Sequence, residues 1–362
     1  MRIVNYKNVM QKTLSAIVVI LAFTSSQADN GVLFSNQQQK PPKIEILDYA
    51  KAGNLPPFFP VKLVKKYKAN PILLPELESL NSSEAHGAFN PAVIRGKDGI
   101  FYMFYRSQDV NSISRVSLAT SKDGINFVKC GPVIVPEYDY ESHGCEDPRI
   151  MQVGDTYYLT YTGYDGSNTP TCLATSTDLK DLHSWKKYGP ILPAKSMAIL
   201  SQKINDKYWA YFGDTNIWAA YSSDLIHWTK VNEPVLKPRP GEWDDALVES
   251  GPPPILTPYG ILLIHNGNLS EDRARQKGKQ FHRDQQVREY ATGWALFDSE
   301  DPTHLIARDT EPFLTVTDPF DVYGQVGDVV FTEGMAMVDG KVYLYYGGGD
   351  TVVNLAIGEP VW

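Results

Sequence analysis

The chain repeats one pattern five times: an apolar strand, a turn and a second strand rich in Tyr, Phe and Trp, usually followed by a segment of the type Leu-Ala-Thr-Ser-x-Asp. The copies begin near Phe89, Cys145, Met197, Gly251 and Phe331. Repeats of roughly 40 to 80 residues, each with several short strands and tight turns, are typical of β-propellers with one antiparallel sheet per blade. The sequence therefore predicts an all-β protein folded as a five-bladed β-propeller.

The first part of the chain has the pattern of a secretory signal peptide. In residues 1–28, three basic residues precede an apolar run from Leu14 to Phe23, and Ser26-Gln27-Ala28 offers a small-x-small cleavage site. The apolar run is about half the roughly 20 residues that would span a bilayer. We therefore expect a periplasmic or secreted protein whose mature chain has no membrane span.

The rest of the chain divides into an arm and one catalytic domain. Residues 29–80 are polar and interrupted by prolines, and we expect an N-terminal arm that lies across the propeller and supplies a strand to close its ring. Residues 81–362 are expected to form the propeller, since a chain with 43% hydrophobic residues can bury a large core. The charged stretch 271–288 interrupts the fourth repeat and predicts a long polar loop, either solvated or forming a wall of a ligand site.

Charge and cysteine content argue against several classes of function. The formal net charge is -8, with no dense stripe of Lys or Arg, which argues against a nucleic-acid partner and favours a neutral, hydroxyl-rich ligand. Cys130, Cys145 and Cys172 are too few and too unevenly spaced for a disulfide framework, although export would allow one bridge. The histidines are scattered singly, so no metal and no other cofactor is predicted. The oligomeric state is left open.

Polar residues at the start of otherwise apolar first strands are the candidates for chemistry. The innermost strands of a propeller line its axis, so these side chains are expected to converge on one funnel. Crowded carboxylates perturb one another, which leaves one able to hold a proton near neutral pH while another stays ionised, as glycoside hydrolysis requires. A salt bridge between blades is the other role open to each carboxylate alone. The residues are Asn90, Glu146, Asp147, Glu249, Asp328 and Glu333.

These residues carry a resemblance to a known family. Through FNPAVIR, GCEDPRI, YTGYDG, VESGPPP and VYLYYGGGD, the chain resembles glycoside hydrolase family 130 from about Phe89 to Glu359. The resemblance implies a five-bladed propeller that hydrolyses or phosphorolyses β-mannosides, with a manno-oligosaccharide as substrate. It implies that Asp147 is the general acid. The residues it places on the sugar-binding face are Asn90, Arg106, Arg115, Arg149 and Asp165, and Glu333 is expected beside them.

Members of this family use either phosphate or water as the nucleophile. A phosphate dianion requires Arg, Lys or His nearby, whereas water requires a base. Asn266 stands where many of the family's phosphorylases have a histidine, which weakens a phosphate site, although the basic residues of 271–288 leave phosphate binding from that loop open. Glu249 and Glu289 are the candidate bases, with Glu333 third.

Export also favours hydrolysis, because the sugar phosphate made by phosphorolysis is useful only where metabolism consumes it, normally inside the cell. The expected function is therefore an exported, inverting hydrolase of β-mannosides, and the resemblance implies β-1,2 linkages. Two alternatives stay open: a β-mannoside phosphorylase that releases mannose 1-phosphate, and a non-catalytic glycan-binding propeller. Asp147 together with Glu249 argues against the last, because binding alone needs no buried acid beside a base.

Overall fold

A computed structural model describes residues 41–77, 79, 81–276 and 289–362 of the protein. Its antiparallel sheets form the five blades of a β-propeller, which confirms the predicted fold. Successive blades contact one another around the axis, and the first strand of the last blade contacts the first strand of blade 1. The ring is therefore closed by packing between its two ends.

Each blade is built from short strands that follow one another along the chain. Blade 1 contains β3 (Gly87–Arg95), β4 (Phe101–Gln108), β5 (Ser114–Ser121) and β6 (Val128–Ile134). Blade 2 contains β7 (Gly144–Val153), β8 (Thr156–Tyr164), β9 (Thr171–Ser176) and β10 (Lys186–Leu192). Blade 3 contains β11 (Ala198–Ile199), β12 (Tyr208–Phe212), β13 (Ile217–Ser222) and β14 (Thr229–Leu236).

The last two blades each receive a strand from the N-terminal arm. Blade 4 contains β15 (Leu247–Ser250), β16 (Ile255–Thr257), β17 (Gly260–Leu269), β18 (Glu289–Phe297) and β19 (Leu305–Asp309), and blade 5 contains β20 (Val330–Val338), β21 (Lys341–Gly348) and β22 (Val352–Pro360). The arm adds β1 (Ile44–Ile46) to β19 and β2 (Val61–Lys66) to β22, both antiparallel. The short helices are α1 (Tyr49–Ala52), α2 (Glu271–Gln276) and α3 (Pro319–Val322), with a 3-10 turn at Asp139–Glu141. Strand β2 therefore pairs a segment of the N-terminal arm with the last strand of the propeller in one blade.

The aromatic strands form the core between neighbouring blades. Every side chain from Phe101 to Tyr105 on β4 is at most 2% exposed. Buried and exposed positions do not alternate along this strand, because a strand between two packed blades is covered on both faces. Across the closure of the ring, Tyr105 and Met103 belong to one apolar cluster with Tyr345 and Val353 of blade 5. This continuous packing fixes the position of the inner strands.

The hairpins define two ends of the propeller. We call the end at which the inner strands β3, β7, β15 and β20 begin the upper end. Gly87 at the start of β3 pairs with Gln108 at the end of β4, so the β4–β5 hairpin also lies at the upper end. Within the described ranges, no helix has the length and apolar character needed to cross a bilayer. Residues 1–28, where the signal peptide is predicted, lie outside the described residues.

Candidate active site

Asn90 and Asp147 occupy equivalent positions in β3 and β7, and each precedes a proline. The pairing register shifts at both positions, and the residues have φ angles of 49° and 48°. This left-handed conformation is uncommon outside glycine, but Asn and Asp adopt it more often than other residues. A β-bulge re-aims a side chain, and here both polar groups turn into the funnel. Asn90 Nδ2 donates a hydrogen bond to Asp147 Oδ1 at 2.8 Å.

Two cations hold the Asp147 carboxylate from different blades. Arg106 Nη1 lies 3.3 Å from Asp147 Oδ1, and Arg106 Nη2 donates to Glu146 Oε1 at 2.7 Å. On the other side, Lys195 Nζ lies 3.6 Å from Asp147 Oδ2 and 3.1 Å from Glu249 Oε1. The Lys195 side chain is 22% exposed, and its ammonium group bridges the two buried carboxylates.

These cations determine the ionisation of Asp147. Burial alone would raise the pKa of this carboxyl group, but the charges of Arg106, Lys195 and Arg149 and the hydrogen bond from Asn90 outweigh burial and hold the pKa below its usual value. Asp147 is therefore ionised near neutral pH when no ligand is bound. A general acid must carry a proton, so this role requires that the cations be drawn away from Asp147.

The other carboxyl groups of the funnel shift in the opposite direction. Burial raises the pKa of Glu249, with Lys195 opposing it in part, and burial raises the pKa of Glu333 well above its usual range despite Arg149. Burial likewise raises the pKa of Asp350 to about 6, opposed by Arg106. The pKa values of these carboxyl groups therefore diverge, as the sequence predicted. Asp147, however, is the group that stays ionised and not the one that holds a proton.

Arg149 joins blades 2, 4 and 5 beneath the funnel. Its guanidinium donates to the backbone carbonyl groups of Asp147 at 2.9 Å, Ser250 at 2.6 Å and Gly251 at 3.3 Å. Its Nη1 also lies 2.9 Å from Glu333 Oε1, although the N–H is not directed at that oxygen. Arg149 is 2% exposed, and three of its N–H groups donate to these carbonyls. The structure therefore places it as a structural link between blades rather than on the sugar-binding face that the sequence predicted.

Replacing Arg149 with Met is expected to lower the free energy of unfolding by about 3 kcal/mol or more, because it leaves the buried carboxyl group of Glu333 without its cation and three buried carbonyls without their donor. Urea denaturation measures the change. Arg95→Met, which removes an exposed arginine from the lower end, is the matched control and is expected to change stability by about 0.5 kcal/mol or less. A loss below about 1 kcal/mol for Arg149→Met would contradict the structural role.

The structure brings some of the predicted site residues together. Asn90, Arg106, Asp147, Glu249 and Glu333 form one cluster. Ser196 donates a short hydrogen bond to Glu249, which fixes this carboxylate beside Lys195. Glu249 thus shares the Lys195 ammonium with the Asp147 carboxylate, whereas Glu333 lies beside Arg149, which donates to the Asp147 backbone carbonyl.

Three predicted residues lie at the upper end: Arg115 and Asp165, which are outside this cluster, and Glu289. Arg115 pairs with Asp109 at 3.0 Å beside the β4–β5 hairpin. The Asp165 carboxylate accepts hydrogen bonds from its own hairpin, so it stabilises a turn and is not part of the funnel cluster. Glu289 begins β18 in register with Leu269.

Two residues of the cluster were missed by the sequence reasoning. Lys195 lies in the connection between β10 and β11, where no motif distinguishes it from other lysines. Asp350 lies in the β21–β22 hairpin with a φ of 49°. A signal for Asp350 did exist, because an aspartate recurs at four of the upper-end hairpins: Asp109, Asp165, Asp214 and Asp350.

Comparison with known proteins places this geometry in a family. The family described as beta-1,4-mannooligosaccharide phosphorylase, glycoside hydrolase family 130, matches residues 64–360. The chain is 37% identical over 310 residues to the 1,2-beta-oligomannan phosphorylase of Thermoanaerobacter sp. (strain X514), covering 82% of this chain and 97% of that protein. A glycosyl hydrolase structure from Bacteroides ovatus is 33% identical with a TM-score of 0.75, covering 86% of this chain and 97% of that one.

A further solved structure comes from work described as "The GH130 family of mannoside phosphorylases contains glycoside hydrolases that target beta-1,2 mannosidic linkages in Candida mannan". It is 34% identical with a TM-score of 0.74, covering 85% of this chain and 96% of that one. The family match extends over most of the chain, and the similar structures share its propeller. By sequence, by fold and by relatives, this chain belongs to glycoside hydrolase family 130.

Proposed function

We propose that this protein is an enzyme that cleaves β-mannosidic linkages of manno-oligosaccharides with inorganic phosphate as the nucleophile. The observation that carries the proposal is the contact of Lys195, whose side chain is partly exposed, with the Asp147 carboxylate. The relative named as a 1,2-beta-oligomannan phosphorylase supports phosphate better than the water expected from the sequence. That relative is also the reason for proposing β-1,2 linkages as the substrate.

Phosphate binding would prepare Asp147 to act as an acid. In the cluster, Lys195 and Arg106 keep the pKa of Asp147 low against the effect of burial. A phosphate dianion that accepts hydrogen bonds from these two cations competes with Asp147 for their charge and adds a negative charge beside it. Both effects raise the pKa of Asp147, so the residue gains its proton when the nucleophile is in place. A neutral water molecule has no such effect.

The proposed reaction is a single displacement. A phosphate oxygen forms a bond to the anomeric carbon of the mannosyl group while the bond from that carbon to the glycosidic oxygen breaks. Asp147 gives its proton to the leaving oxygen and is reprotonated from solvent after the products leave. Attack from the face opposite to the leaving group converts the β-mannoside to α-mannose 1-phosphate, so the configuration is inverted.

The nucleophile is tested by incubating the protein with β-1,2-mannobiose, with and without inorganic phosphate, and following the products by NMR. We expect α-mannose 1-phosphate and mannose in equal amounts, formed only when phosphate is present. Release of mannose alone, at a rate independent of phosphate, would contradict phosphorolysis and indicate hydrolysis. Binding of mannobiose without any turnover would indicate a glycan-binding propeller.

Hydrolysis is the second candidate, favoured by the charge of the funnel. Five carboxyl groups surround three cations among the described residues, and this surplus of acidic over basic groups disfavours a phosphate dianion. Buried Glu249, with its raised pKa, would then be the base that activates water. The carboxyl groups are Glu146, Asp147, Glu249, Glu333 and Asp350, and the cations are Arg106, Arg149 and Lys195.

Glu249→Gln distinguishes the roles of this side chain. With phosphate as the nucleophile no base is needed, and we expect the variant to keep at least about a tenth of the wild-type turnover at saturating phosphate. If Glu249 activates water, the variant should lose about a hundredfold or more while still binding mannobiose. Turnover of mannobiose and calorimetric titration with the same sugar give the two readouts.

The cellular location is a separate proposal. The basic, apolar and small-residue order of residues 1–28 supports export and cleavage after Ala28. Export would favour hydrolysis, because a sugar phosphate made outside the cell is lost to metabolism. N-terminal sequencing of the mature protein tests this, and an intact Met1 in the folded protein would contradict cleavage.

A further inference from the structure

A cavity lies at the upper end, beside the funnel. We call it the rim groove; its volume is about 350 Å³. On one side it is lined by Asn81, Ser82 and Ser83, which precede β3, and on the other by Asp109, Asn111 and Arg115 of the β4–β5 hairpin, with one valine. A cavity of this size is near the lower limit for ligand sites, so it suits one sugar unit rather than a chain.

A strip of polar contacts connects the rim groove with Asp147. Arg106, which contacts Asp147, donates from Nε to Ser114 Oγ at 2.9 Å. Gln108 is two residues further along β4, and its Nε2 is 3.4 Å from the same Ser114 oxygen. Its side-chain carbonyl is buried without a hydrogen-bond donor among the described residues. Polar groups therefore continue from the funnel to the hairpin that forms one wall of the groove.

The groove is preorganised and close to electrically neutral. Asp109 pairs with Arg115 at 3.0 Å and also accepts hydrogen bonds from the backbone N–H groups of Asn111 and Ile113. This pairing holds the hairpin in one conformation and cancels the two charges found among the described residues of the lining. The amide side chains of Asn81 and Asn111 make no side-chain hydrogen bond within the described part of the chain and are exposed. Amide and hydroxyl groups without a net charge suit the hydroxyl groups of a neutral sugar.

We propose that the rim groove binds a sugar unit of the manno-oligosaccharide beyond the two units joined by the cleaved bond. The inference rests on the proposed cleavage of β-mannosides and adds a preference for chain length. A disaccharide occupies only the funnel, whereas a trisaccharide also reaches the amides of Asn81 and Asn111.

The test compares β-1,2-mannobiose with β-1,2-mannotriose for the wild type and for Asn81→Ala/Asn111→Ala. We expect the wild type to prefer the trisaccharide, and the variant to lose about tenfold in kcat/KM for mannotriose with little change for mannobiose. Asn126→Ala removes an amide from the lower-end hairpin of the same blade and is expected to keep the preference. Equal kcat/KM of the wild type for both sugars, or an unchanged preference in the double variant, would overturn the proposal.

If neither sugar is cleaved, the proposed function has failed. Measurements of sugar binding can still test the rim groove in that case. Calorimetric titration of Asp147→Asn protein with the two sugars then compares binding to the funnel alone with binding to the funnel and the groove. Tighter binding of mannotriose that disappears on adding Asn81→Ala/Asn111→Ala supports the groove, and equal affinities overturn it.

Discussion

Replacing Asp147 with Asn is expected to lower the turnover of a β-mannoside by about a hundredfold or more, because the amide cannot donate a proton to the leaving oxygen as an acid does. The variant should fold, since the amide can still accept the hydrogen bond from Asn90. The expected loss is the same whether phosphate or water attacks. Steady-state turnover of β-1,2-mannobiose measures it, and circular dichroism checks the fold.

Asp224→Asn is the matched control for this prediction. Asp224 accepts hydrogen bonds from the backbone N–H groups of Ile226 and His227 in a hairpin at the lower end, so the same chemical change is made far from the funnel. We expect turnover within about twofold of the wild type. An Asp147→Asn enzyme that keeps wild-type turnover, or one that loses it only by unfolding, would remove Asp147 from the role of acid.

Replacing Lys195 with Met is expected to lower kcat/KM for phosphate by about a hundredfold, because a charge-assisted hydrogen bond to the nucleophile is lost. Removal of the cation also leaves Asp147 and Glu249 without the charge they share. Initial rates at varied phosphate and saturating β-1,2-mannobiose give the effect, which should appear mainly as a raised KM for phosphate.

Lys187→Met is the matched control, because it also removes a lysine that pairs with two carboxylates. Lys187 is 8% exposed and pairs with Glu137 at 3.3 Å and Glu141 at 2.6 Å in blade 2. Its loss should lower stability and leave the KM for phosphate unchanged. If Lys195→Met binds phosphate as well as the wild type does, the proposed phosphate site is wrong and hydrolysis becomes the better candidate.

The propeller could be predicted from the repeat pattern because that pattern is a property of short stretches of sequence. Alternating turns and strands, and aromatic strands such as Phe101 to Tyr105, specify short sheets that must be covered on both faces, and a closed ring of blades meets that need. The polar residues before Pro91 and Pro148 could be predicted for the same reason. Asn90 and Asp147 interrupt apolar inner strands, and the inner strands of a propeller face a common axis.

The tertiary structure alone decided which charges meet. Lys195 lies in a connection without a motif, and only the packing of blade 3 against blade 2 brings it between Asp147 and Glu249. Arg149 resembled a sugar ligand in the sequence, but closure of the ring surrounds it with backbone carbonyls of blade 4 and Glu333 of blade 5. Strand periodicity records which face of a strand is buried, whereas an ion pair between blades depends on the relative positions of distant segments. The sequence therefore identified the fold and most of the acidic residues, and the structure determined their partners and, through those partners, their ionisation.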